Sequence, residues 1–169
     1  MIINVPKLER RGAQKKKELK KFLKRIEKKP PVGLIKTNAV VAKETWAEVD
    51  CLACANCCRK MTPTFKKVEI KRIAAHVGLT TKEYFDKYLE VDKDNGDIVN
   101  KSTPCQHLNL KNNKCSVYEI RPADCRLFPH FERKDFNDVS YVIADNIPRC
   151  PATLVFVEKL QERLAAVKP

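Results

Sequence analysis

The sequence predicts a small, helix-rich α+β single domain with one short β-hairpin. Three observations carry that reading. The 169 residues are 43% hydrophobic, enough for one domain with a modest core and too little for a second independent one. Apolar residues recur at helical spacing in several stretches, with Pro or Gly punctuating the runs. Between Leu108 and Tyr118, two short arms flank the polar turn Lys111-Asn112-Asn113-Lys114, a hairpin pattern.

The elements follow in order. From Gln14 to Lys29, residues Leu19, Phe22, Leu23 and Ile26 fall at i, i+3, i+4 and i+7, the stripe of an amphipathic helix whose other face is lysine. Pro30-Pro31 stops it. Residues 32–38 read as a linker containing Gly33, and Asn38 as the cap of a second helix carrying Val40, Val41 and Trp46, a core aromatic. Val68 to Val77 has helical spacing, with His76 as a structural residue, and ends at Gly78. Thr80 and Glu83 form a capping box before a short helix with Tyr84, Phe85, Tyr88 and Leu89. Asp94-Asn95-Gly96-Asp97 is a turn, Arg121-Pro122 opens one helical turn, and Val139 to Ile143 reads as a strand. Pro151 opens a final helix with Leu154, Val155, Val157, Leu160 and Leu164.

Charge is uneven along the chain. Residues 1–37 hold 13 Lys/Arg against 3 Glu, ten of the net +13. Such a field attracts polyanions. No aromatic interleaving or nucleic-acid motif accompanies it, so the expectation is a solvated lysine face and no nucleic-acid partner. No stretch approaches the roughly 18 apolar residues of a membrane span, and the chain reads as soluble and cytoplasmic, with no membrane partner.

Eight cysteines dominate the chemistry, four of them within Cys51-Leu52-Ala53-Cys54-Ala55-Asn56-Cys57-Cys58. A reducing compartment disfavours disulfides, and neighbours such as Cys57 and Cys58 are held about 3.8 Å apart at Cα, short of the about 5.5 Å of a relaxed bridge. If this segment were one helix, its four sulfurs would lie within an arc of about 120° and repel as thiolates unless a cation sat between them. As a loop, it would use Asn56 as the left-handed residue that wraps it around an ion. Soft thiolates favour zinc or an iron–sulfur cluster. Cys105, Cys115, Cys125 and Cys150 form the second set, on turn-like segments beside Pro104, Pro122 and Pro151. Eight sulfurs fit two four-cysteine sites, or one complete site with the others free, and the spacing does not choose. His107 is a further candidate ligand and His130 lies where it could approach the cluster.

Three motifs carry a resemblance. The first segment has the form C-x2-C-x2-C-C, Pro104-Cys105-Gln106-His107-Leu108 has P-C-x-x-L, and Cys115 to Pro129 has C-x-[IV]-Y-x-x-R-P-x-x-C-R-x-F-P. Over about residues 51–151 they resemble the YkgJ-type CxxCxxCC cysteine-cluster family, a zinc- or iron-chelating domain. The resemblance implies metal ligands at Cys51, Cys54, Cys57, Cys58, Cys105, Cys115 and Cys125, with Cys150 the late cysteine before a proline. Many members carry a glycine within the first cluster, which this chain lacks. Arg121 and Tyr118 are candidates to bond to sulfur or to loop carbonyls.

The expected organisation is a basic N-terminal helix and linker over 1–37, then a cysteine-cluster metal-binding domain over 38–169 pinned by its metal centre. The expected function is binding of zinc or an iron–sulfur cluster, with electron transfer to a redox partner protein in the second case. Two other classes compete. The resemblance extends to a lysine methylase acting on flagellin, which implies an iron–sulfur-dependent enzyme such as a methyl transferase or oxidoreductase, yet the chain has no Gly-rich cofactor loop, no evident acid–base pair beyond scattered carboxylates and no C-x3-C-x2-C pattern. A zinc-stabilised basic nucleic-acid adaptor is the third, without the Cys2His2 spacing of a zinc finger.

Overall fold

The computed structural model describes residues 4–133, 136 and 140–166. The chain divides into two compact units, one formed by Met1–Cys54 with Pro129–Pro169 and the other by Ala55–Phe128. Helices predominate, and the described residues contain one two-stranded antiparallel sheet. Among them no helix is long and apolar enough to cross a membrane.

The first unit is a helical assembly. Helix α1 runs from Val5 to Lys28, starting well before Gln14 because Asn4 caps it by accepting from Lys7 N at 3.0 Å and Pro6 fits the first turn. Helix α2, Leu34–Glu48, starts at Gly33, whose φ of 78° only glycine adopts without strain; Asn38 is therefore a buried residue within the helix and not its cap. The short α3, Cys51–Cys54, follows, and Asp50 Oδ1 accepts from Leu52 N at 2.8 Å. Helices α8, Ser140–Asn146, and α9, Pro151–Ala166, complete the unit. The strand expected at Val139 to Ile143 is thus replaced by a helix, with Val139 outside the described residues. The β-branched residues there favour a strand by intrinsic propensity, and packing overrides it. Ile143 and Ala144 point inward at i and i+1 of a helical face, against α1 and α9.

The core of this unit joins Leu19, Phe22, Leu23 and Ile26 of α1 to Val41 of α2 and Leu154, Phe156, Val157 and Leu160 of α9, all buried. Each such side chain contributes about 1.5–3 kcal/mol through removal from water. Phe131 stacks on Phe156 with ring centres 4.2 Å apart. Trp46 lies at the margin, half-buried, with Nε1 donating to Glu132 Oε2 at 2.8 Å, so it is an edge residue and not a core one.

The second unit contains α4, Asn56–Lys60, α5, Lys67–His76, α6, Thr81–Tyr88, strands β1, Leu89–Val91, and β2, Ile98–Asn100, a 3₁₀ turn at Tyr118–Ile120 and α7, Ala123–Leu127. Thr80 and Glu83 form the expected capping box, and Gly78 takes a φ of 72° after α5. The sheet pairs Leu89 with Asn100 and Val91 with Ile98 around the Asp94–Asp97 turn. The hairpin expected at Leu108–Tyr118 is reduced to a single bridge between Leu108 and Cys115. Asn109 and Asn112 bond backbone amides at Lys111 and Lys114, which curls the segment into turns instead of strands. Phe65, Ile70, Ile73, Tyr84, Leu89 and Val117 form the core, with Cys115 packed against it.

Candidate metal centre

The first cysteine segment is neither one helix nor one loop. It breaks at Ala55, with φ 47° and ψ 19°, into α3 carrying Cys51 and Cys54 and α4 carrying Cys57 and Cys58. The left-handed residue is Ala55 and not Asn56, whose buried position opens α4. Cys51 and Cys54 thus belong to the first unit, Cys57 and Cys58 to the second.

Within the second unit, separate turns place the remaining thiols. Cys105 follows the cis Thr103–Pro104 bond, and its N–H donates to Cys58 O at 2.8 Å, tying that turn to α4. Leu108 N donates back to Cys105 O at 3.0 Å. Cys115 sits at the bridge with Leu108, and Ser116 N donates to His107 O at 2.9 Å. Arg59 joins α4 to the same region by donating to Asn113 Oδ1 at 2.6 Å, where Asn113 has φ 60°. Cys125 lies in α7, whose start is held by Glu69: its Oε1 accepts from Ala123 N at 2.8 Å while Oε2 accepts from Lys66 N at 2.9 Å. Arg72 and Arg126 donate to the carbonyls of Ile120 and Arg121, and Arg121 donates to Tyr118 O at 2.6 Å with its guanidinium over the Tyr118 ring.

The thiols influence one another's ionisation. Cys57 and Cys58 approach to 3.8 Å between sulfurs. That hydrogen bond brings the Cys58 thiol down to about 7 from its ordinary value of 9.0; burial opposes it, while a backbone amide and the Arg59 charge assist. Burial, joined by the Cys58 and Cys105 charges, pushes Cys125 up to about 12. Burial also raises Cys105 and Cys115, and each feels the negative charge of Cys58. Backbone amides pull the other way: that of His107 favours the Cys105 thiolate and that of Val117 the Cys115 thiolate, two residues on in each case. Cys58, Cys105, Cys115 and Cys125 therefore form one electrostatic group.

A buried polar chain underlies that group. Asn100 Oδ1 accepts from Gln106 Nε2 at 3.1 Å, Gln106 also donates to Tyr84 Oη, and Tyr84 meets His107 Nε2 at 2.7 Å. Ser116 Oγ meets His107 Nδ1 at 3.3 Å. Both His107 nitrogens are engaged, so His107 belongs to this support and not to a ligand set. The buried Asn100 side chain also favours the Cys105 thiolate as a hydrogen-bond donor toward its sulfur. Nothing in the sequence marks Asn100 or Glu69, because their roles depend on where distant backbone and sulfur atoms arrive.

In the first unit, Cys150 occupies the cap position of α9, directly before Pro151. It is buried, which raises its thiol; the Thr153 side chain and the amides of Thr153 and Ala152 pull it down, and Cys54 is near enough to raise it electrostatically. Cys51 is exposed. His76 is exposed at the end of α5, and His130 has φ 74°.

None of the eight cysteines forms a disulfide. The donor chemistry, five thiols in one unit with amides favouring the anions of Cys58, Cys105 and Cys115, fits a soft metal. Their spacing is more open than coordination: among the described residues no three or more His, Cys, Asp or Glu side chains are gathered closely enough to hold one ion.

No solved structure matches the chain. An uncharacterised protein of Methanocaldococcus jannaschii is 30% identical over 81 residues, which cover 47% of this chain and 43% of the relative, so the match spans less than half of either. A family model described as a zinc- or iron-chelating domain matches residues 50–143, the stretch that carries all the cysteines but Cys150. On that match, which takes in more than half of its residues, the chain belongs to the CxxCxxCC family.

Proposed function

We propose that the protein binds zinc or an iron–sulfur cluster through its cysteine thiolates. Cys57, Cys58, Cys105, Cys115 and Cys125 are the proposed ligands from one unit, and Cys51, Cys54 and Cys150 those from the other. The observation that supports this reading best is the group of Cys58, Cys105, Cys115 and Cys125, in which ionisation of one thiol opposes that of the next while backbone amides favour the anions of Cys58, Cys105 and Cys115. Buried like charges are costly unless a cation relieves them. A bound zinc would supply structural cross-linking, and an iron–sulfur cluster would supply a one-electron couple.

The chain's own residues then have definite tasks. Glu69 and Asp124 fix the approach of α7, Asp124 Oδ2 accepting from Thr64 N at 3.0 Å. The His107–Tyr84–Gln106 chain holds the turns bearing Cys105 and Cys115. Arg59 and Arg121 provide positive charge beside Cys58 and Cys115. In the iron–sulfur case, the partner is a redox protein and the compartment the cytoplasm.

The deciding experiment is anaerobic purification followed by counts of zinc, iron, acid-labile sulfide and alkylatable thiols per chain. At least one metal with protected thiols is the expected result. Iron with matching sulfide and a visible absorption that bleaches on reduction selects electron transfer; zinc without sulfide selects the structural role. A folded protein with less than one metal per chain and every thiol reactive overturns the reading.

A further inference from the structure

Helix α1 carries a second feature, independent of the cysteines. Lys7, Arg10, Gln14, Lys17, Lys21, Lys24 and Lys28 recur at alternating spacings of three and four residues, and all are exposed. At about 100° per residue they lie within an arc of about 100°, and the axial span from Lys7 to Lys28 is about 32 Å. The opposite face is accounted for: Leu19, Phe22, Leu23 and Ile26 are buried.

Arg25 falls on the edge of this arc, at the angle of Lys7, with its guanidinium over the Phe22 ring, and the other cations of α1 are turned aside from it. Arg11 and Lys15 pair with Glu158 of α9, and Lys16 pairs with Asp145 of α8 at 3.0 Å. The helix's acids flank the arc instead of interrupting it. Glu18 accepts from Gln161 Nε2 at 3.2 Å, and Glu27 accepts from Ser140 Oγ at 2.7 Å. The result is a ladder of six cations with no acid among them, longer than the sequence suggested because the helix begins at Val5. Self-repulsion along such a row destabilises the free helix, and an external polyanion relieves it.

We propose that this ladder is a binding surface for the phosphate backbone of nucleic acid, without base-sequence preference. The face offers ammonium and guanidinium groups and one amide, and no aromatic ring on which a base could stack. Lysine is depleted at protein–protein interfaces, whereas nucleic-acid interfaces are strongly positive. A membrane-surface helix would need its apolar face for insertion, and here that face is in the protein core.

The test uses the full chain and fluorescence anisotropy with mixed-sequence DNA and RNA duplexes of roughly 20 base pairs, long enough to span the ladder. Six phosphate contacts predict a log–log salt slope of about −5 and a loss of affinity of roughly 10³-fold between 50 and 200 mM salt. The triple variant Lys17→Gln, Lys21→Gln, Lys24→Gln keeps helix propensity and should flatten that loss to about 40-fold. The comparison variant Lys67→Gln, Lys71→Gln, Lys93→Gln removes the same charge from exposed sites elsewhere and should leave the slope unchanged. Circular dichroism confirms that each variant is folded. Binding of either duplex with these slopes supports the proposal. An unchanged slope in the ladder variant, equal flattening in the comparison variant, or tighter binding to anionic lipid vesicles than to either duplex overturns it. None of these readouts depends on the metal content.

Discussion

Gly12 sets how closely α1 can approach the end of α8. A Cβ there would lie 2.5 Å from Ile147 O and 3.0 Å from Pro148 Cα, both backbone atoms that cannot swing away. Gly12→Ala gains about 1 kcal/mol of helix propensity but must force the backbones apart, so a net loss of about 1–3 kcal/mol is expected. Chemical denaturation checks it: a midpoint at or above that of the parent would mean that the approach is not tight. Ala55 gives the opposite sign. Its left-handed backbone costs a non-glycine residue about 1 kcal/mol, and Ala55→Gly should recover part of that, adding up to about 0.5 kcal/mol of stability after the added freedom of the unfolded chain and raising the midpoint accordingly. At this scale the sequence was partly legible. The cysteines and Gly78 stand out by type, whereas the left-handed backbone at Ala55 and the burial of Asn56 beside it depend on packing that only the folded chain reveals.

Elements were legible where a cap or a stripe was complete. The Thr80–Glu83 box and the Leu19–Ile26 stripe are local signals, and the corresponding helices exist. The paired strands leave no mark in the sequence because Leu89–Val91 and Ile98–Asn100 are only three residues each, too short for an alternation to register. Packing of α1 on α9 depends on Glu158, whose side chain is 8% exposed and receives Arg11 and Lys15. Burial pushes its carboxyl up, but the hydrogen bonds and charges of Arg11 and Lys15 outweigh this and hold it below its ordinary value of 4.5. A carboxyl depressed in the folded state adds stability above the unfolded value and loses it as pH falls through the folded one. Stability should therefore decline below about pH 4.5. Glu158→Gln should cost about 1–3 kcal/mol at neutral pH, because two cations lose their partner, and should flatten the acid decline. Denaturation midpoints at pH 7 and pH 3.5 measure both; equal losses at the two pH values would remove Glu158 from the acid response.

At the scale of the whole molecule, motif order revealed the family, while the distribution of its sulfurs over two compact units was not legible, since the unit boundary falls inside the C-x2-C-x2-C-C segment. Metal binding should make ionisation visible. Near pH 8, burial keeps Cys105, Cys115 and Cys125 protonated, whereas Cys58, lowered to about 7, is mostly thiolate. Capture of one ion by these four sulfurs requires the anions and should release about three protons, so affinity rises with pH and weakens in acid. Calorimetric zinc titration in two buffers of different ionisation heat counts those protons. The same linkage acts on folding: free metal at about 100 times its dissociation constant adds about 2.7 kcal/mol to stability, and a chelator removes it. Cys125→Ser should lower both the proton count and the chelator-sensitive stability. A count near zero, with affinity flat between pH 6.5 and 8, would separate these thiols from the ion, since no thiolate site can form at neutral pH without displacing their protons.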